Sequence, residues 1–189
     1  MNTPTHILVS AALFARPDDA RRNVAALAGA LLPDLSIYVM YGLAKAGGVP
    51  EYEIWGTLHF TPFWQDWAAA ANSVPIYAVL MVLALARNWA AAQVFCLSAL
   101  AHIALDLPFH NDDAHRHFWP ISDWRFRSPV SYWNPDHHGL WVSMVEVGLA
   151  LLLVIVLWRR FRSFWVRVPL ILALPAYVIV PLHFMSVLG

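Results

Sequence analysis

His102 and Asp106 stand one helical turn apart inside an apolar stretch, so both side chains leave the same face of a helix. That arrangement delivers two ligands to one ion. His and Asp together suit divalent metals, zinc above all. An ionised side chain at the centre of a membrane helix costs about 2.5–3.5 kcal/mol on insertion scales, so groups kept there point to function. Asp34 is a second such group, directly after Pro33 in an apolar run. Buried and unpaired, it would protonate or recruit a cation. His6 opens the chain, and His59 lies in a connection that must fold back toward the membrane.

The stretch 107–120 is dense in ligating groups. His110 is four residues past Asp106 and continues its face if the helix runs beyond Pro108. His115 and His117 read as groups that support the ligands or touch substrate, with His117 a candidate proton donor to a leaving group. Asp112 and Asp113 read as solvated charges. Arg116, Arg125 and Arg127 offer guanidinium forks for an anion such as phosphate, or contacts to lipid headgroups. Glu146 follows His138 by eight residues, about two turns, and the pair is a candidate second metal site. His183 reads as a hydrogen-bonded core histidine. Cys96, the single cysteine, excludes an internal disulfide and a cysteine-based zinc knuckle, and reads as a small core residue.

The elements that must position these groups are apolar helices. The chain has 189 residues, 60% hydrophobic and 13% charged, with ten Trp and six Tyr that suit interfacial belts. Five segments approach spanning length, at 24–44, 68–86, 89–107, 140–158 and 168–188. A sixth, 5–15, is too short to cross alone. No Lys or Arg precedes it and its cleavage site is poor, so it reads as a retained segment rather than a signal peptide. Thr3-Pro4-Thr5 offers it an N-cap, and Pro33 and Pro175 should kink their helices. The expectation is an all-α integral membrane bundle of about five spans plus a short N-terminal helix, in one domain, with a His-rich connection at 108–139.

Eight of the twelve basic residues collect on one side if the loop 16–23 faces the cytoplasm. The His-rich connection then lies on the non-cytoplasmic side of the membrane. Counting helical rise from the cytoplasmic ends puts His6 at roughly 15 Å, Asp34 at 17 Å, Glu146 at 20 Å, His102 at 21 Å, His183 at 23 Å and Asp106 at 27 Å. Residues scattered through the chain thus share one layer. Zero formal charge and the lack of a basic cluster exclude nucleic acid as a partner.

The ordered set His6, Leu32-Pro33-Asp34, His59, His102-x-x-x-Asp106, Trp119-Pro120 and Trp124-Arg125-Phe126-Arg127-Ser128-Pro129 resembles the membrane-bound metal-dependent hydrolases, also described as LexA-binding, inner-membrane-associated hydrolases. The resemblance covers roughly residues 1–135. It implies a multi-helix inner-membrane protein, a divalent metal and hydrolysis. The family's His-Arg-Gly-x-Thr-His-Ser element is here Trp55-Gly56-Thr57-Leu58-His59-Phe60-Thr61, without its first histidine, arginine and serine. Sequences similar in the run 109–139 often carry a cobalamin-biosynthesis label, but no nucleotide-binding loop or amidotransferase cysteine motif accompanies it here.

The ligand order is also similar, more distantly, to zinc-dependent phospholipase C. This would match His6, Asp34, His59, His102, Asp106, His110 and, less closely, His138 and Glu146. A His-x-x-x-Asp pair occurs as well in membrane phosphatases with a histidine nucleophile, but their Lys…Arg-Pro and Pro-Ser-Gly-His elements are absent.

The expectation is a hydrolase with one to three zinc-like ions, in which metal-activated water attacks a phosphoester or other ester, anionic or lipid-linked. Asp34 or Asp106 bridges the metals, and Arg125 or Arg127 holds the anion. The alternative is a non-catalytic scaffold or metal-sensing protein with a structural ion. A transporter ranks third, since no inverted repeat is evident.

Overall fold

The computed structural model describes residues 1–179 and 182, and among these it holds helices, turns and irregular connections but no strand. Eight α-helices can be bounded among the described residues: α1 (Thr3–Phe14), α2 (Ala20–Ala46), α3 (Glu51–Gly56), α4 (Pro62–Ala71), α5 (Val74–Ala86), α6 (Ala90–Asp106), α7 (Gly139–Arg160) and α8 (Phe164–Ala173). They form a bundle with four helical stretches long and apolar enough to cross a membrane: α2, α4 with α5, α6 with the turn after it, and α7. Only 22% of the most apolar window of α2, and of α7, is buried within the protein. The remaining Leu and Val side chains cover an outer surface suited to hydrocarbon.

The expected fifth span, 168–188, is not formed as one helix among the described residues. The shorter apolar stretch there, Phe164–Ile179, breaks at Leu174 and Pro175. Proline removes a backbone donor and clashes with the preceding turn, which accounts for the break. His183 lies outside the described residues. Pro33, by contrast, sits inside a continuous α2, where the Asn72 side-chain amide donates to its carbonyl (3.1 Å). The span expected to begin at 68 starts at Pro62 and changes helix at Asn72–Ser73. The Ser73 hydroxyl accepts the Ile76 amide there and caps the second half.

Small residues bring α2 and α6 together. Ala26 and Ala30 of α2 and Ala99 of α6 are all fully buried. At Gly29 a Cβ atom would lie 2.2 Å from the Phe95 carbonyl oxygen and 2.8 Å from the Ser98 Cβ, so only glycine admits this approach. The Ser98 hydroxyl bonds the Ala26 carbonyl (2.6 Å) and the Ser10 hydroxyl (2.8 Å), tying α1 into the same seam. On its other side α1 packs Leu8 against Ala150 and Leu157 of α7. The Arg160 guanidinium donates to the Ala12 carbonyl (2.6 Å), satisfying an orphan carbonyl at the end of α1.

Thr3 begins α1 rather than preceding it. The cap position is Asn2, whose side chain makes no cap bond and reaches Glu146 instead.

The connection 110–138 is irregular yet pinned to the bundle. The His117 carbonyl accepts the Val74 amide (2.8 Å). Ser128 donates its amide to the His110 carbonyl (2.9 Å) and its hydroxyl to that of Pro108 (2.6 Å), and Tyr132 donates its amide to Phe109 (3.1 Å). Backbone groups that leave water must find such partners. Here they hold the connection over the ends of α6 and α4.

Candidate metal centre

Asp106 ends α6 and is buried, with nitrogen atoms on both of its oxygens. Oδ1 lies 2.9 Å from His6 Nε2 and 2.6 Å from the Met1 amino group. Oδ2 lies 3.2 Å from His102 Nε2 and 3.4 Å from His110 Nε2. Asp34 adds Oδ1 at 3.5 Å from His102 Nε2, while its Oδ2 accepts from Thr3, whose hydroxyl in turn accepts from Tyr38. The His6 and His102 rings stack with centroids 3.6 Å apart.

The second nitrogen of each ring decides what the first can do. His102 Nδ1 lies 2.7 Å from the Ala30 carbonyl oxygen. A carbonyl only accepts, so Nδ1 carries the proton, and in the neutral ring Nε2 is a bare lone pair. That lone pair faces two carboxylate oxygens, in a buried place, without a hydrogen bond. A cation between them resolves the repulsion. In the metal-free protein a proton on Nε2 can play the same part, since both oxygens lie within ion-pair distance of it.

His110 repeats the pattern. Its Nδ1 bonds Asp113 Oδ2 (2.7 Å), which also accepts the Trp133 indole (3.1 Å), while its Nε2 lacks a hydrogen-bond partner. A carboxylate behind a ring nitrogen is how metal-binding imidazoles are oriented. The donors therefore fit a divalent ion.

Two ligand groups result among the described residues: His6, His102 and Asp106, and Asp106, His110 and His115, all buried. Within each, one ligand atom from every residue lies within 4.8 Å of the others. Asp106 belongs to both and can bridge them.

Electrostatics outside the spanning helices follow from this crowding. Burial disfavours charge on His110, but the Asp113 and Asp106 carboxylates outweigh it and raise its pKa to about 10. Burial works to raise Asp113, yet His110 holds it well below the usual carboxylate range. Burial, with His110 beside it, pushes His115 down to about 3, so that ring is neutral. Burial likewise lowers His59 and His117.

The other expected residues are placed differently. His59 is buried among Trp55, Phe60 and Trp64, with Nδ1 unpartnered, and belongs to neither ligand group. His117 sits beside His115, ring centroids 5.9 Å apart, with Nδ1 3.3 Å from the Asn72 carbonyl. Arg125 donates to the Gln65 side chain (2.9 Å) and the Ala114 carbonyl (2.7 Å), so its guanidinium braces the connection. Arg116 pairs with Asp66 and Asp123. Arg127 is exposed.

The pairing of His138 with Glu146 is not formed. His138 is exposed at the start of α7 with φ 64°. Glu146 accepts the Asn2 amide (2.6 Å), the Asn2 side chain (3.1 Å) and the Thr5 hydroxyl (2.6 Å), and so anchors the start of α1. Asp113, expected as a solvated charge, is instead the partner of His110. Nothing in the sequence pattern marks His115 as a ligand, because an irregular connection has no period that reports facing. Comparison with protein-family models, with curated proteins and with solved structures gave no match.

Proposed function

We propose that this chain is a membrane-embedded hydrolase that uses divalent metal, zinc by its donor set, on a phosphoester or other ester presented at the membrane. One observation carries the reading: a single buried carboxylate, Asp106, lies between two sets of imidazoles, each placing a ring nitrogen within reach of an ion that Asp106 also touches. Divalent ions held there supply Lewis acidity and an acidified water. Asp106 joins the two halves, and Thr3 with Tyr38 orients Asp34 toward the first. His117, kept neutral by burial, is the group that takes a proton at Nε2 and returns it to the leaving oxygen. Arg127 meets the anion, since Arg125 is engaged. The distribution of basic residues supports an inner-membrane orientation with the His-rich connection outside the cytoplasm.

A second reading, a scaffold with a structural ion, is favoured by the near-complete burial of His6, His102 and Asp106. Metal analysis of the purified protein, followed by assays on phosphomonoesters, phosphodiesters and carboxylic esters with chelation and readdition, separates the two. Chelator-sensitive turnover supports the hydrolase. Tightly bound metal with no turnover across that panel supports the scaffold.

A further inference from the structure

A cleft of about 390 Å³ opens between the end of α6 and the first half of α7. Leu105, Phe109, Val130, Val142, Val145 and Leu149 line it. Its polar groups are few. His138 stands at the start of α7, Glu146 lies in the wall, and Met1 closes the inner side, where its amino group touches Asp106. The volume is within the range of about 300–1,000 Å³ typical of small-molecule sites, and an apolar wall with a few polar groups is their usual composition.

Place and length identify the occupant. The cleft follows α7 from its first turn, at Trp141, down to Leu149, and these eight steps rise about 12 Å. That is most of one leaflet of a hydrocarbon core about 30 Å thick. Its mouth is bilayer-facing, since Trp141 and Val145 are 66% and 71% exposed on a spanning helix. The connection forms the upper wall because Gly139 packs against it. A Cβ there would lie 2.7 Å from the Asn134 carbonyl oxygen. What surrounds this groove is therefore lipid tail, and its upper inner wall is the residue touching Asp106.

We propose that the cleft seats one acyl chain of a membrane lipid, taken from the leaflet next to the Gly139 end of α7, with the head group brought over Asp106. This deepens the hydrolase reading and rests on it for its consequence, a lipid substrate, though not for its test.

The test is photolabelling of the full chain in nanodiscs doped with a phospholipid that carries a diazirine at the end of one acyl chain. Mapped adducts should concentrate on the peptides holding Leu105, Phe109, Val142 and Leu149. They should exceed those on the outer face of α5, where Val79 and Val82 are similarly exposed. Val145→Trp, which blocks the mouth, should lower cleft labelling relative to α5 by at least about tenfold. Thermal unfolding in detergent reports whether that variant is assembled, and Val130→Trp, from the opposite wall, replaces it if it is not. Labelling no denser in the cleft than on α5, or unchanged in an assembled blocked variant, overturns the proposal. Dense labelling in a protein without turnover leaves the cleft standing and removes the hydrolase. Chelator-sensitive ester turnover with even labelling does the reverse.

Discussion

His102 Nδ1 lies 2.7 Å from the carbonyl oxygen of Ala30, so the backbone of α2 sets the tautomer of a ligand on α6. The contact needs the two helices close together, and Gly29, beside Ala30, is what allows it. Fold and site are thus coupled through one glycine. Gly29→Ala should push α2 from α6, destabilise the bundle by about 1–3 kcal/mol and weaken metal binding. Gly42→Ala, on the same helix with nothing within 4 Å of its Cβ position, should be neutral or slightly stabilising. Thermal unfolding in detergent and metal titration check both. Equal behaviour of the two variants would break the link.

His110 depends on Asp113 in the same way, through a carboxylate rather than a carbonyl. Asp113→Asn keeps the shape but removes the charge behind the ring. Loss of such a partner costs about 10–100-fold in metal affinity. The loss should fall on one ion only, because His102 is oriented from another helix. A calorimetric titration should then show one weakened and one unchanged phase. Two weakened phases would mean that the halves of the site are not separate.

His115 and His138 make a direct contrast. His115→Ala should reduce metal bound per chain, since the ring belongs to the second ligand group, while His138→Ala should leave it unchanged. Elemental analysis of the two purified variants decides. Loss of metal in the His138 variant alone would restore the pairing with Glu146.

Much of this site is legible in the sequence, for a reason specific to helices. Rise per residue converts sequence position into depth, so counting alone places His6, Asp34, His102 and Asp106 in one layer. The i,i+4 spacing of His102 and Asp106 gives their shared face as well. Azimuth between helices is not legible. Glu146 has the right depth, yet it turns toward Asn2 and Thr5. Nor are His115 and Asp113, because their facing comes from backbone bonds such as Ser128 to His110 that leave no periodic trace. Within the described part of the span expected at 168–188, composition measures apolar length, while Pro175 marks where the helix breaks.

The membrane orientation is open to labelling. In a Cys96→Ala background, a cysteine at Asp112 should react with an impermeant maleimide in intact cells, and one at Arg162 only after permeabilisation. Eight basic residues against four favour that arrangement. The opposite labelling pattern would invert the protein and leave the geometry of the site intact.

Proton competition gives the last test. In the metal-free protein the Asp113 and Asp106 carboxylates outweigh burial and hold the His110 pKa at about 10, so the ring is charged at neutral pH. A raised pKa adds stability that is fully present below the unfolded value of about 6.5 and is lost as pH rises through about 10. The metal-free protein should therefore lose thermal stability over that window. Metal binding should do the opposite. An ion taking His110 Nε2 must expel that proton, so apparent affinity should rise with pH toward 10, and binding should release protons. Calorimetry at about pH 7 and about pH 9, in buffers of different ionisation enthalpy, reads both effects. Affinity flat across that range, with no proton release, would remove His110 from the ligands and leave only the His6, His102 and Asp106 group.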